Sequence, residues 1–177
     1  MTINSSINND INTLHPVNSN NDWDPLEEVV VGSIRGGFVP RMDPSFYTWH
    51  GPFNEDDRQY VGPVPPRIIE EIEEDIAGFV EILESFGVSV KRPAPINHKK
   101  IISTPDWECE GQNTLMPRDS ILVLGNQLIE TPMLCRSRFL ETLGYKDILL
   151  GYFNRGCKWV SAPKPRLLDS ETVTKSV

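Results

Sequence analysis

The chain has 177 residues, of which 38% are hydrophobic and 24% charged, and its formal net charge at pH 7 is -8. A chain of this length can bury a sizeable core, about 70% of its unfolded surface, so the composition indicates a soluble globular protein. The negative charge argues against a nucleic-acid-binding protein, which needs a basic face, and no apolar run reaches the roughly 18 residues of a membrane span.

The predicted organisation has three parts. Residues 1–22 contain seven Asn and no Lys or Arg, and we interpret them as a disordered polar tail. They lack the basic and apolar regions of a signal peptide and the Arg-rich character of a transit peptide, so we expect a cytoplasmic protein. Residues 23–165 form the structured part, and residues 166–177 are predicted to be a polar C-terminal tail.

The first half predicts a strand, a long connection, a helix and a second strand. The strand lies in "PLEEVVVGS" (25–33) and the connection spans 34–65, a length typical of a functional loop or a linker. The helix begins at Pro66 and ends at Gly87. One apolar face is predicted from residues that recur at helical spacing, namely Ile68, Ile69, Ile72, Ile76, Phe79, Val80 and Leu83. A short strand follows in 88–95.

The second half has a similar order of elements. "ILVLG" (121–125) predicts a strand and "NQLIET" (126–131) its hairpin partner, with Asn126 as a turn residue. A helix is predicted over 137–153, ended by Gly156. Its candidate buried residues are Phe139, Leu140, Leu143, Ile148, Leu149, Tyr152 and Phe153. A short strand is then expected in 157–165.

One supersecondary pattern therefore occurs twice. "GVSVKRPAP" (87–95) and "GCKWVSAPKP" (156–165) show it best, each with a glycine, a short strand and a Pro-x-Pro ending. Such repetition predicts an α/β repeat architecture in which neighbouring units stabilise one another, and two units are too few to close a ring. Chance similarity between two strand–helix units is the alternative.

Arg118 and Asp119 stand just before the apolar strand 121–125. Of the charged residues, this pair has the clearest candidate for a functional role. Asp119 is either a solvated loop residue paired with Arg118, or a carboxylate held ready for a ligand. The residues alone favour the solvated pair, and Arg118 is better explained as structural. An acidic protein with such a carboxylate is compatible with a cationic substrate.

The cysteines and histidines do not form a catalytic or metal-binding pattern. Cys109, Cys135 and Cys157 are odd in number and widely spaced, which argues against a disulfide framework or a zinc site. Cys109 has acidic neighbours, which disfavour a reactive thiolate, and Cys135 and Cys157 are expected to be packed. His50 and His98 are interpreted as surface histidines, with a role in a lid as the alternative. No metal or cofactor is expected.

Four blocks of the sequence together resemble the N-terminal half of the amidinotransferases. They are "DWDPLEEVVVG" (22–32), "TPDWE" (104–108), "PRDSILVLGNQLIETPMLCRSRFLE" (117–141) and "YFNRGCKWVSAPKP" (152–165). The family includes glycine amidinotransferase and the inosamine-phosphate amidinotransferases. The sequence of these blocks resembles the inosamine-phosphate type more closely. Because the blocks occur in the same order, the resemblance is more specific than any single motif.

The resemblance implies a fold and a chemistry. The fold is a five-bladed α/β propeller of pentein type, built from ββαβ units, of which about two are present here. The chemistry is transfer of the amidino group of L-arginine to an acceptor amine, glycine or an inosamine phosphate, through a covalent amidino-cysteine. Asp119 matches the family's aspartate after "PR" and is expected to bind the substrate guanidinium, with orientation of the catalytic groups as the alternative.

The family's nucleophilic segment does not occur in these 177 residues. It is a glycine-rich stretch with a His-Cys pair, and none of the three cysteines matches it, so no catalytic residue is assigned and the chain alone is expected to be inactive. A non-catalytic binding module, or one subunit of a split enzyme, is the alternative. A homodimer, or a partner chain carrying the C-terminal half, would fit these interpretations.

Overall fold

The computed structural model describes residues 16–46 and 60–172, and its architecture is α/β. The strands of this part of the chain, in order, are β1 (Glu28–Val30), β2 (Phe38–Val39), β3 (Gly62–Pro63), β4 (Ser89–Lys91), β5 (Ile101–Ser103), β6 (Glu108–Glu110), β7 (Ile121–Leu124), β8 (Gln127–Glu130) and β9 (Lys158–Ser161). The α-helices of the described residues include α1 (Pro66–Ser85), α2 (Pro117–Ser120), α3 (Lys146–Asn154) and α4 (Asp169–Thr172), and two 3-10 segments span Arg136–Arg138 and Glu141–Tyr145.

Two strand–helix–strand units are present. In the first, β1 pairs in parallel with β4 across α1, and in the second, β8 pairs in parallel with β9 across α3. β7 adds to the second unit as the antiparallel partner of β8, which confirms the predicted hairpin. The strand of the second unit that corresponds to β1 is therefore β8, not the more apolar β7.

Helix α1 has the predicted beginning and end. Pro66 occupies its first turn, where a missing N–H costs no hydrogen bond. At the other end Gly87 has φ +80°, and the N–H groups of Gly87 and Val88 donate to the carbonyls of Glu84 and Leu83. A left-handed residue with these two hydrogen bonds ends a helix in the Schellman manner.

Two glycines of this region should respond in opposite ways to alanine. Gly78 lies inside α1 and Gly87 lies just after it. A Cβ added at either glycine meets no atom within 4 Å, so the backbone conformation alone decides how alanine changes the stability. We expect Gly87→Ala to lower the free energy of unfolding by about 1 kcal/mol, and Gly78→Ala to raise it by about 0.5–1 kcal/mol. Urea denaturation followed by circular dichroism measures both changes, and a shift of the same sign in both variants would contradict this account.

The predicted apolar face of α1 is only partly buried. Phe79 is exposed, as are Ile82 and Phe86, so this part of the predicted apolar face is not covered. The other six residues of the predicted face are half-buried. The helix thus carries a second apolar stripe, because the regular spacing of apolar residues does not say which of them a neighbouring element covers.

The helix predicted over 137–153 is wrong in its first half. Two 3-10 segments, Arg136–Arg138 and Glu141–Tyr145, are separated by a turn, and the α-helix begins only at Lys146. A Cβ on Gly144 would stand 2.7 Å from Thr114 and the Gly144 carbonyl accepts the Ala94 N–H, so tertiary contacts fix this backbone. Of the predicted buried residues, Leu149 and Tyr152 are buried, whereas Leu140, Leu143, and Phe153 are exposed.

The main core lies between the β7–β8–β9 sheet and α3. Its buried residues are Leu128, Tyr145, Leu149, Tyr152 and Cys157, and Val17 packs against them. A second cluster joins Trp107 and Cys109, on the unpredicted β5–β6 hairpin, to Leu167. The packed structure therefore includes residues on both sides of the 23–165 range, and residues 1–15 and 173–177 of the expected tails lie outside the described residues.

Part of the sheet surface is apolar and exposed. Leu122, Ile129 and Val160 stand opposite one another on β7, β8 and β9, and Leu122 and Val160 are about half exposed. Apolar surface of this kind is typical of a face that other protein covers. Within residues 16–46 and 60–172, none of the helices has both the length and the apolar character to cross a membrane.

Candidate functional site

The backbone at Asp119 is fixed from two sides. Asp119 lies in α2, the short helix that leads into β7, and its N–H donates to the carbonyl of Met116. Its own carbonyl accepts the hydroxyl of Thr131, at 2.5 Å, and the N–H of Thr131 donates to Ser120. Since Thr131 directly follows β8, the start of one strand is joined to the end of its neighbour, and the Asp119 side chain projects from a rigid edge.

Arg138, not Arg118, is the close partner of Asp119. Nη1 of Arg138 donates to Oδ2 of Asp119 at 2.9 Å. Nε of Arg118 is 3.8 Å from Oδ1, and the Arg118 side chain is 91% exposed, so water screens this contact. The Asp119 side chain itself is 31% exposed. The carboxylate is thus neither fully solvated nor closed to a ligand.

Glu141 holds Arg138 from the opposite side. Nε of Arg138 donates to Oε2 of Glu141 at 2.5 Å, and Nη2 donates to Oε1 at 3.1 Å. Burial raises the pKa of the Glu141 carboxyl, and the two hydrogen bonds and the positive charge of Arg138 oppose this shift. The paired geometry is that of a bidentate ion pair. Two carboxylates therefore face one guanidinium, which leaves one negative charge.

A concavity of about 250 Å³ opens beside Asp119. Apart from Asp119 and Arg138, its lining is mostly apolar: Pro132, Met133, Leu134 and Cys135. Pockets for drug-sized ligands measure roughly 300–1,000 Å³, so this space suits one end of a small molecule. An apolar wall with one carboxylate is suited to a compact cation, because the low dielectric strengthens the charge interaction.

None of the three cysteines presents a thiolate. Cys135 lines the concavity but is buried, and burial together with the charge of Asp43 raises the pKa of its thiol. Burial and Asp43 also raise the pKa of Cys109, and burial raises that of Cys157. Cys135 and Cys157 are packed, as predicted. A thiol with a raised pKa is a poor nucleophile at neutral pH.

Among the described residues, His98 does not line the concavity at Asp119. His98 is buried, so the prediction of a surface histidine is wrong, and burial lowers the pKa of its imidazole. Gly111 packs against it and donates its N–H to the His98 carbonyl. His15 and His50 lie outside the described residues. Within the described part of the chain, no three His, Cys, Asp or Glu side chains are grouped as a metal site would require.

A larger cleft, of about 590 Å³, lies between residues 16–30 and the sheet. Three acidic residues line it, and two of them, Asp24 and Glu27, are exposed. The third, Glu28, accepts hydrogen bonds from Tyr152 and Ser89 and is 3.5 Å from Lys91. Although burial acts to raise it, these partners leave the pKa of Glu28 below its ordinary value. Because Glu28 is already bound within the protein, we regard the concavity at Asp119 as the candidate site.

Arg138 and Glu141 belong to the site and were not singled out from the sequence. The available signal was the arginine and glutamate three residues apart in "RSRFLE" (136–141), separated by Phe139 and Leu140. Such spacing brings two side chains together on a helical turn. It does not reveal that a residue from α2 completes the cluster.

Comparison with known proteins gives a consistent set of relatives. No family model matches the chain. Inosamine-phosphate amidinotransferase 1 of Streptomyces griseus is 46% identical over 155 residues, which cover 86% of this chain and 45% of the relative. The L-arginine:L-lysine amidinotransferase of Pseudomonas savastanoi pv. phaseolicola is 40% identical over 162 residues, 89% of this chain and 44% of the relative.

A solved structure agrees with these relatives. The structure of the inosamine-phosphate amidinotransferase from Streptomyces griseus matches with a TM-score of 0.82 and 46% identity, over 88% of this chain and 45% of that one. The chain thus spans about half the length of the curated relatives it matches.

Proposed function

The chain belongs to the amidinotransferase family, and we propose that it forms part of an enzyme that moves the amidino group of L-arginine to an acceptor amine. The observation that carries this proposal is the 46% identity over 86% of the chain. The relatives are named for inosamine phosphate and for L-lysine as substrates, so the acceptor class proposed here is a primary amine.

Asp119 is the proposed binding residue for the guanidinium of arginine. Its Oδ2 is bonded to Arg138, whereas its Oδ1 is 3.8 Å from the exposed Arg118, beyond hydrogen-bond distance. A carboxylate oxygen beside an apolar concavity can accept an N–H of a planar guanidinium in a charge-assisted hydrogen bond. This geometry supports the proposal, because a guanidinium could bind to Oδ1 while Oδ2 keeps its hydrogen bond to Arg138.

The proposed reaction has two transfers. A cysteine thiolate attacks the guanidinium carbon of arginine, and ornithine leaves with the proton that its nitrogen needs. The acceptor amine then attacks the amidino carbon, loses a proton and releases the thiolate. Cys109, Cys135 and Cys157 are buried and do not supply this nucleophile. We place it, with a histidine that moves protons, in the half of the relatives' length that this chain does not span.

We further propose that the two strand–helix–strand units are part of a five-unit α/β propeller of pentein type. The remaining units would come from the same unspanned half, and they would cover the exposed row of Leu122, Ile129 and Val160. The repeat of parallel β–α–β pairing across α1 and α3 supports this arrangement.

Binding of L-arginine tests the role of Asp119. We expect Asp119→Asn to weaken binding at least tenfold, about 1.4 kcal/mol, because the amide keeps the shape of the carboxylate but loses its charge. Isothermal titration calorimetry on the wild type, Asp119→Asn and the control Asp75→Asn, at an exposed position of α1, measures the effect. Equal affinity for arginine in all three proteins would exclude Asp119 from the binding site.

A further inference from the structure

We infer that Arg138 and Glu141 are positioning residues that hold the Asp119 carboxylate in the orientation needed to recognise a planar guanidinium, an inference that rests on the proposed function. Neither residue needs to contact the reacting atoms. Their contribution is to fix the position and preserve the charge of the group that does.

The geometry comes from the fork of Arg138. Its guanidinium donates once to Asp119, at 2.9 Å, and twice to Glu141, at 2.5 and 3.1 Å. The side chain of Glu141 is completely buried and that of Arg138 is 10% exposed, so both are held by packing. Because the donors of an arginine lie in one plane at fixed angles, a buried anchor on one side fixes the carboxylate on the other.

The charge balance makes the same arrangement suitable for a cation. Arg138 alone would neutralise Asp119 and remove its attraction for a positively charged ligand. Glu141 offsets the charge of Arg138, so the cluster keeps one negative charge. Arg138 and Asp119 both border the concavity, and Asp119 is the carboxylate that does so. A fixed carboxylate in an apolar setting should favour a guanidinium over an ammonium, since only the planar group matches a fixed plane of oxygens.

The test compares two ligands that differ in the charged group. Affinities of L-arginine and L-lysine are measured by calorimetry for the wild type, Arg138→Lys and the matched control Arg118→Lys, at the neighbouring exposed arginine. We expect the ratio of arginine to lysine affinity to fall at least about fivefold in Arg138→Lys, because a lysine cannot donate to both carboxylates in a fixed plane. In Arg118→Lys the ratio should stay within about twofold of the wild type.

This ratio separates positioning from a general loss of structure. Partial unfolding lowers both affinities by the same factor and leaves the ratio unchanged. Glu141→Asp is the second variant: its shorter side chain moves the anchor of Arg138 and should also lower the ratio, and it decides the matter if Arg138→Lys does not fold. An unchanged ratio in the folded variants overturns this inference alone. A wild type that binds no arginine overturns the proposed function, and this inference with it.

Discussion

Replacing Leu128 by alanine is expected to lower the free energy of unfolding by about 2–5 kcal/mol, the usual cost of removing a fully buried leucine side chain. Leu128 lies in the middle of β8, is 2% exposed, and packs in the cluster with Tyr145, Leu149 and Tyr152. The residues around it come from a sheet and a helix that cannot easily close the space, so a cavity remains. The midpoint of urea denaturation should fall while its slope stays unchanged.

Leu124→Ala is the matched control, because Leu124 lies on the paired strand β7 with its side chain 58% exposed. We expect Leu124→Ala to lower the free energy of unfolding by less than about 1 kcal/mol. If both variants lost the same free energy, the exposed face of the sheet would have to be covered, for example by self-association. The dependence of the denaturation midpoint on protein concentration would then reveal it.

Replacing Glu73 by glutamine is expected to lower the free energy of unfolding by about 2–4 kcal/mol at pH 7. The Glu73 carboxylate, on α1, is 11% exposed and accepts four hydrogen bonds. Their donors are the Ser33 hydroxyl at 2.7 Å, the Ile34 N–H at 3.0 Å, Nε of Arg35 at 3.2 Å and Nη2 of Arg92 at 2.9 Å. Glutamine lacks the charge and one acceptor oxygen, so partly buried donors lose their partner.

The loss caused by Glu73→Gln should depend on pH. Burial acts to raise the pKa of Glu73, but the hydrogen bonds from Ser33 and Ile34 and the charge of Arg92 bring it below the ordinary value of 4.5. A lowered pKa in the folded state means stability that is fully present above about pH 4.5 and is lost as the pH falls through the folded-state pKa. The difference in the free energy of unfolding between the wild type and the variant should therefore be constant from pH 8 to about 5 and shrink below 4.5.

Glu71→Gln provides the comparison for this experiment. Glu71 is on the same helix, pairs with Arg67 at 2.7 Å, and is 53% exposed. An exposed pair four residues apart on a helix contributes about 0.3–0.5 kcal/mol, so the loss should be small at every pH. If the difference in the free energy of unfolding between the wild type and Glu73→Gln stayed constant down to pH 3, the Glu73 carboxylate would not be the charged group in this network.

The structure explains why local patterns predicted some helices and not others. Pro66 and Gly87 act on their own backbone, through a fixed φ and a left-handed φ, and α1 has the bounds they predict. Most of the segment 136–145 is also predicted to be α-helical from the sequence, but it forms 3-10 turns. There the N–H of Arg136 donates to the Ser45 hydroxyl, from a distant part of the chain, and such contacts override local propensity.

By itself, the sequence determined the α/β class, the β7–β8 hairpin, the bounds of α1 and the family, because proline, glycine and the apolar period act locally and the motifs stand in order. Only the tertiary structure decided the environment of Asp119. Its neighbour in sequence, Arg118, points to solvent, whereas Arg138, nineteen residues away, reaches it across the end of the sheet. Charge pairing depends on distance in space and on burial, and neither can be read from adjacency along the chain.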